Sequence, residues 1–208
     1  MDVDVLISFI IATSVLAIAP GPDVIYVLMQ SITNGKSFGI ATACGLVSGC
    51  LVHTTLVAFG VSAIIKASDT IFFIIKFLGA IYLIYLAFKV YKSDANVLLT
   101  QENVPEKTWS QLYKQGFIMN VLNPKVSIFF LAFFPGFLFS DSLRTVYQFY
   151  ILGFIFIGVS FLVFVTIAIL GGSISTYLKQ HKGIGHILKW MQVVVFIGIA
   201  FFILFSEK

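Results

Sequence analysis

Long apolar runs, separated by short polar segments, make up most of this chain. Six of these runs each approach the ~20 residues that a helix needs to cross a bilayer. They cover residues 5–31, 38–65, 70–90, 116–139, 146–172 and 187–205. The pattern predicts six transmembrane helices, and therefore an all-α, polytopic membrane protein.

Composition supports this prediction. Of the 208 residues, 59% are hydrophobic and only 11% are charged, whereas a soluble domain averages roughly 25% charged residues. The net charge of +4 comes from lysines in the connections, which suits contact with anionic lipid headgroups rather than nucleic acid. The N-terminus is acidic where a signal peptide is basic, so we expect the first run to remain in the mature protein.

The connection at residues 91–115 is the only long polar one. It divides a single transporter domain, residues 1–208, into a first repeat at about 1–90 and a second at about 116–208. Because each half has three spans, a second half homologous to the first is inserted upside down, as in many transporters. The sequence leaves open whether Pro124 or Pro135 is the symmetry mate of Pro20.

Lysine and arginine placement gives the orientation, because cytoplasmic connections are enriched in both. The odd connections carry more of these residues than the even ones. We therefore expect the odd connections in the cytoplasm and both termini outside. The odd set is Lys36, Lys89, Lys92, Lys107, Lys114, Lys179, Lys182 and Lys189, and the opposite set is Lys66, Lys76, Arg144 and Lys208.

The first run is broken near its middle by Pro20, Gly21, Pro22 and Asp23. Proline cannot donate an amide hydrogen bond, so the carbonyls of Leu16 and Ile18 lose their helical partners. Pro22 suits the first position of a new half-helix, with Asp23 near the positive end of its dipole. Free carbonyls and a carboxylate suit an ammonium group, and free amides suit a carboxylate. We therefore expect a site for a zwitterionic amino acid; the alternative is a structural kink with Asp23 as a cap.

The fourth run is broken in a similar way by Asn123, Pro124 and Lys125. Pro124 frees the carbonyl of Asn120. On a regular helix, Asn120, Asn123 and Ser127 form one polar stripe and Lys125 points away from it, toward Asp23 or another acidic group. A charge at the centre of a membrane helix costs about 2.5–3.5 kcal/mol, so it needs a partner or a polar cavity. The alternative is a lysine that snorkels along the lipid.

In the second run, small residues recur every fourth position and end at a histidine: Ala41, Gly45, Gly49 and His53. Such faces are where membrane helices approach closely. His53 therefore faces the bundle, where it either relays a proton or is simply satisfied by a neighbouring carbonyl.

Other chemistry finds little support. Cys44 and Cys50 lie six positions apart on one helix and have no metal-ligand spacing, so we interpret them as small apolar residues. The chain has no phosphate-binding glycine loop and no hydrolase or metalloprotease motif. We therefore expect a protein that is not an enzyme and has no cofactor or metal.

Several blocks resemble the lysine exporter (LysE/RhtB) family of bacterial amino-acid efflux proteins. They are residues 19–23, 35–49, 76–86 and 116–125, the last followed by Phe134 and Pro135. The resemblance implies a six-span carrier of the bacterial inner membrane that exports amino acids or close derivatives and is driven by protons. The chain departs from the family at Ala87, where glycine is common, and His53 is not part of the family pattern.

Two other interpretations compete with amino-acid export. Efflux of a cation or metal ion needs several carboxylates facing the cavity, and only Asp23 is deep enough. A membrane scaffold without transport does not require buried charges. The sequence leaves the amino acid, the coupling stoichiometry and a homo-oligomer open.

Overall fold

The computed structural model describes residues 2–93, 107–180 and 184–205, and these are almost entirely helical, with no strand among them. The helices are α1 Val3–Ile18, α2 Pro22–Asn34, α3 Lys36–Leu56, α4 Ser62–Ala67, α5 Asp69–Lys92, α6 Trp109–Val121, α7 Pro124–Ile128, α8 Thr145–Gln180 and α9 Ile184–Phe205. Two π-helical turns, Val57–Val61 and Phe129–Phe133, and a 3-10 turn, Phe134–Phe137, complete the described elements. The middle of the predicted linker, residues 94–106, lies outside the described residues.

The described helices confirm an all-α, polytopic membrane protein. Four of them are long and apolar enough to cross a bilayer without interruption. Two further spans arise if each bent pair counts as one: α1 and α2 meet at 59°, and α6 meets the segment Pro124–Phe137 at 49°. These are the first and fourth predicted spans, both predicted to be broken. The fourth begins at Trp109, about two turns before the predicted start at Gly116, because a Thr108–Gln111 capping box starts the helix there.

Proline chemistry explains both breaks. Pro22 is the first residue of α2, behind the extended N-cap residue Gly21, and Pro124 is the first residue of α7. At that position the missing amide of proline costs no helical hydrogen bond. The N-cap of α7 is Asn123, whose side chain accepts from the Lys125 amide at 3.0 Å.

The predicted polar stripe of Asn120, Asn123 and Ser127 is wrong, because the second break interrupts the helix on which it would lie. The stripe requires a regular helix, but α6 ends at Val121 and α7 restarts at Pro124. Asn123 caps α7, and the Ser127 hydroxyl donates to the Asn123 carbonyl at 3.1 Å. Only Asn120 of the three side chains lines the central cavity described below.

Helix α3 packs against α2, α6 and α8, and small residues bring it close to α6. A Cβ built on Gly45 would overlap the Tyr113 carbonyl, and one on Gly116 would overlap the Thr42 carbonyl. Gly49 lies against the side chain of Asn120 in the same way. The glycine face of α3 therefore makes the close helix contact that the spacing by four predicts.

A cluster of phenylalanines joins α1 to the segment after the second break. Phe9 of α1 meets Phe134 edge-on at 5.1 Å between ring centroids, and Phe130 stacks on Phe134 at 4.2 Å. Phe156 of α8 packs on Phe130 at 4.9 Å. These fully or nearly buried rings pack α1 and α8 against the segment that follows the second break.

Candidate functional site

The two breaks meet through Lys125. Its side chain is only 4% exposed, and its ammonium donates to the Ala19 carbonyl at 3.1 Å. Ala19 is the C-cap residue of α1, so the ammonium sits at the negative end of that half-helix dipole. The sequence predicts free carbonyls at Leu16 and Ile18, four residues before the two prolines. The carbonyl that accepts from Lys125 is instead that of Ala19, where α1 has already ended.

Asp23 lies on the other side of the same turn. It is 5% exposed, and its Oδ1 atom has no hydrogen-bond partner among the described residues. A Cβ built on Gly21 would lie 2.6 Å from Asp23 Oδ1 and 3.5 Å from Lys125 Nζ. A carboxylate from the first break and an ammonium from the second thus border the same space beside Gly21. In a low-dielectric interior such opposite charges attract strongly.

Asn120, Cys50 and His53 form the neighbouring polar contacts. The Cys50 thiol lies 3.6 Å from Asn120 Oδ1, and His53 Nε2 lies 3.2 Å from the Asn120 carbonyl. That carbonyl, which Pro124 removes from the regular helical pattern, also accepts from the Asn123 amide at 3.0 Å. His53 is buried, packs on Phe130, and does not line the cavity between the breaks. Its geometry matches a histidine satisfied by a neighbouring carbonyl.

Between these groups lies a small central cavity. Its polar lining is Asp23, Lys125, Asn120, Cys50 and Ser160, and its apolar lining is Leu16, Ala17, Val126, Phe156 and Phe164. The volume is about 10 Å³, which is close to the minimum for one water molecule. The cavity beside Asp23 and Lys125 therefore has room for no molecule larger than water, and a larger molecule enters only after the helices move.

The contribution of α8 was missed by sequence reasoning. Phe156, Ser160 and Phe164 recur every fourth position on this helix and face the cavity. The Ser160 hydroxyl is buried and has no partner among the described residues. A lone serine between aromatic residues in an apolar run gives little signal by itself, because serine is common in membrane helices.

Broken spans that carry opposite charges to one central cavity in an apolar bundle are typical of membrane transporters. This chain belongs to the LysE type translocator family, whose sequence profile matches residues 14–207. It is thus a multi-pass membrane transporter and not an enzyme.

Curated relatives match the chain along most of its length. The leucine efflux protein of Salmonella typhimurium is 26% identical over 196 residues, which is 93% of this chain and 91% of that protein. The leucine efflux protein of Klebsiella pneumoniae is 25% identical over 194 residues, with coverage of 93% and 92%. No solved structure matches the chain significantly.

Proposed function

We propose that this chain is a secondary exporter of amino acids with apolar side chains, in the bacterial inner membrane, and that proton flow drives it. The names of the relatives, which are leucine efflux proteins, support amino-acid export. Membership of the translocator family supports transport across a membrane. The cavity adds the apolar preference, because aliphatic and aromatic side chains surround the charged pair.

One observation carries the proposal. Asp23 and Lys125 come from different halves of the chain and flank the same glycine at the centre of the bundle. In this mechanism the ammonium of Lys125 binds the carboxylate of the substrate, and the carboxylate of Asp23 binds its ammonium. Leu16, Phe156 and Phe164 then contact the substrate side chain, where each buried methylene adds to affinity.

Opposite charges also provide a way to release the substrate. A proton that binds Asp23 removes its negative charge, which weakens its hold on the substrate ammonium. Rocking of one three-span half against the other exposes the cavity to each side in turn.

The test is efflux from cells preloaded with labelled leucine. We expect Asp23→Asn to abolish efflux, because the amide keeps the size of the side chain but not its charge, while the amount of protein in the membrane persists. The matched control is Asp4→Asn, at an exposed position in the first turn of α1, which we expect to export at the normal rate. Normal efflux by Asp23→Asn would refute the assignment, and efflux that survives collapse of the proton gradient would refute the coupling.

The metal-ion alternative gains no support from the geometry. Across residues 2–93, 107–180 and 184–205, no group of three His, Cys, Asp or Glu side chains is placed to hold a metal ion. Competition by apolar amino acids, but not by divalent cations, is the outcome expected in the same efflux assay.

A further inference from the structure

A second polar cavity lies at the far end of α2. It has a volume of about 620 Å³ and is lined by Thr33, Asn34, Phe38, Lys107, Thr108 and Gln111; we call these six residues the vestibule. This volume falls in the range of small-molecule sites, unlike that of the central cavity. The vestibule lies where α2 ends and where α3 and α6 begin. It is therefore on the side of the protein that carries the first and third connections.

The described lining of the vestibule carries a positive charge. Lys107 is the one charged residue among the described residues that line it, and its ammonium donates to Gln115 Oε1 at 3.5 Å. Thr108 is the N-cap of α6, a helix of 13 residues, so the positive end of that dipole points the same way. Hydroxyl and amide groups supply the rest of the polar lining. A small molecule with a carboxylate is the ligand that this lining favours.

A buried glutamine of α2 contacts one residue of the vestibule. Gln30 is 0% exposed, and its Oε1 accepts from the Asn34 amide at 2.7 Å, while Asn34 lines the vestibule. The Nε2 atom of Gln30 has no partner among the described residues. A buried donor without a partner costs about 1–3 kcal/mol. Such a cost is expected where the group has a task other than stability.

The helical spacing of α2 places this path on one face. Asp23, Val27, Gln30 and Asn34 follow one another at intervals of four, three and four residues, so they lie along one side of the helix. Val27 is fully buried in a small apolar cluster with Leu46 and Phe164, and Phe164 also lines the central cavity. The apolar cluster therefore separates a polar vestibule from a polar cavity.

We propose that the vestibule is the cytoplasmic substrate entrance: Lys107 holds the amino-acid carboxylate there, and Gln30 is the next hydrogen-bond donor on the way past Val27 to the central cavity. This inference rests on the proposed export of amino acids and on the cytoplasmic placement of the odd connections. Gln30 and Lys107 are then substrate-binding residues outside the Asp23–Lys125 pair.

The experiment measures uptake of labelled leucine into everted membrane vesicles, in which the cytoplasmic face is outside. We expect Lys107→Gln to raise the KM about threefold, because it removes one charge–charge contact of a partly exposed lysine. Lys107→Glu reverses the charge and should raise the KM about tenfold. Vmax should stay unchanged in both variants. Added salt screens exposed charges, so it should raise the KM of the wild type but not that of Lys107→Gln. The matched control, Lys114→Gln, changes an exposed lysine nearer the middle of α6 that does not line the vestibule, and it should leave the KM unchanged.

Gln30→Leu tests the inner step. Because this change removes a buried donor without a partner, we expect the melting temperature of the purified protein to hold or rise, while Vmax falls at least fivefold. A purely structural glutamine would show the reverse, with lower stability and an unchanged rate in the protein that folds.

The outcomes separate this inference from the proposed function. If wild-type vesicles take up no amino acid, the export proposal itself fails. If they do, but Lys107→Gln and Lys107→Glu keep the wild-type KM, the entrance is elsewhere. A change of KM seen only in right-side-out vesicles would place the vestibule on the opposite face and overturn the cytoplasmic assignment.

Discussion

Asp23 and Lys125 hold the same position in their respective half-helices, directly after a proline at the first helical position, yet they carry opposite charges. The positive end of a helix dipole stabilises Asp23 and disfavours Lys125. Lys125 is compensated from outside its own helix, by the Ala19 carbonyl at the end of α1. The lysine thus ties the second break to the first, and each charge depends on the other half of the chain.

Removal of one charge therefore tests this dependence. We expect Lys125→Met to lower the free energy of unfolding by about 3 kcal/mol, because it leaves Asp23 buried without a compensating charge. The measurement is thermal unfolding of the detergent-solubilised protein, together with its abundance in the membrane. Transport should be lost as well, since the substrate carboxylate loses its partner.

The double variant Asp23→Asn with Lys125→Met provides the control. With both charges removed, stability should recover toward that of the wild type, while transport stays lost. If the double variant is as unstable as the sum of its single variants, the two residues do not interact.

At the scale of elements, the contact between α3 and α6 depends on the absence of side chains. The backbone of α6 occupies the space that a Cβ on Gly45 would need, and the backbone of α3 occupies the space that a Cβ on Gly116 would need. This contact also carries polar groups, because Gly49 and His53 of α3 face Asn120 of α6. A shift between the two helices therefore moves Asn120 within the central cavity.

A single methyl group tests this contact. We expect Gly45→Ala to destabilise the protein by about 1–3 kcal/mol, since the new Cβ overlaps a backbone carbonyl that cannot rotate away. Gly158→Ala is the matched control, because a Cβ there has open space around it and alanine favours the helix. Equal melting temperatures for the two variants would show that the close approach is absent.

Sequence patterns predicted the elements better than the site. Each proline break was predictable from its local chemistry, and the glycine spacing of α3 predicted a close neighbour. The π-helical turns at Val57–Val61 and Phe129–Phe133 have no such signal in the sequence, because a π-helical turn has no characteristic pattern of apolar positions. The same holds for the Ala19 carbonyl as acceptor and for Ser160 in the cavity, since both depend on how separate spans are placed.

At the scale of the whole molecule, the two halves repeat one plan. Each opens with a broken span whose second part starts at a proline, Pro22 or Pro124, followed by two further spans. The contacts between the halves follow this plan too. The second span of each half packs on the broken span of the other: α3 lies against α6, and α8 lies against α1 and α2. The third spans, α5 and α9, pack on each other. We propose an inverted repeat as the origin of this pattern. In that repeat Pro124 corresponds to Pro22 by its place in the helix, whereas Pro135 lies in the 3-10 turn; the mate of Pro20 stays open.

Rocking of one half against the other requires contacts between the halves to break. One such contact joins α2 to α8. The Ser31 hydroxyl donates to the Ala168 carbonyl, and a Cβ on Gly171 would lie 3.1 Å from the Ser31 Cβ. This separation is below the range of about 3.5–4.5 Å in disulfides, so the two helices have to move apart by a few tenths of an ångström to admit the bond. We expect the double variant Ser31→Cys with Gly171→Cys to lose leucine transport on oxidation and to regain it on reduction.

Each single cysteine variant, treated with the same oxidant, should keep its activity. Undiminished transport by the fully cross-linked protein would mean that this contact stays closed throughout the cycle, and rocking between α2 and α8 would be refuted.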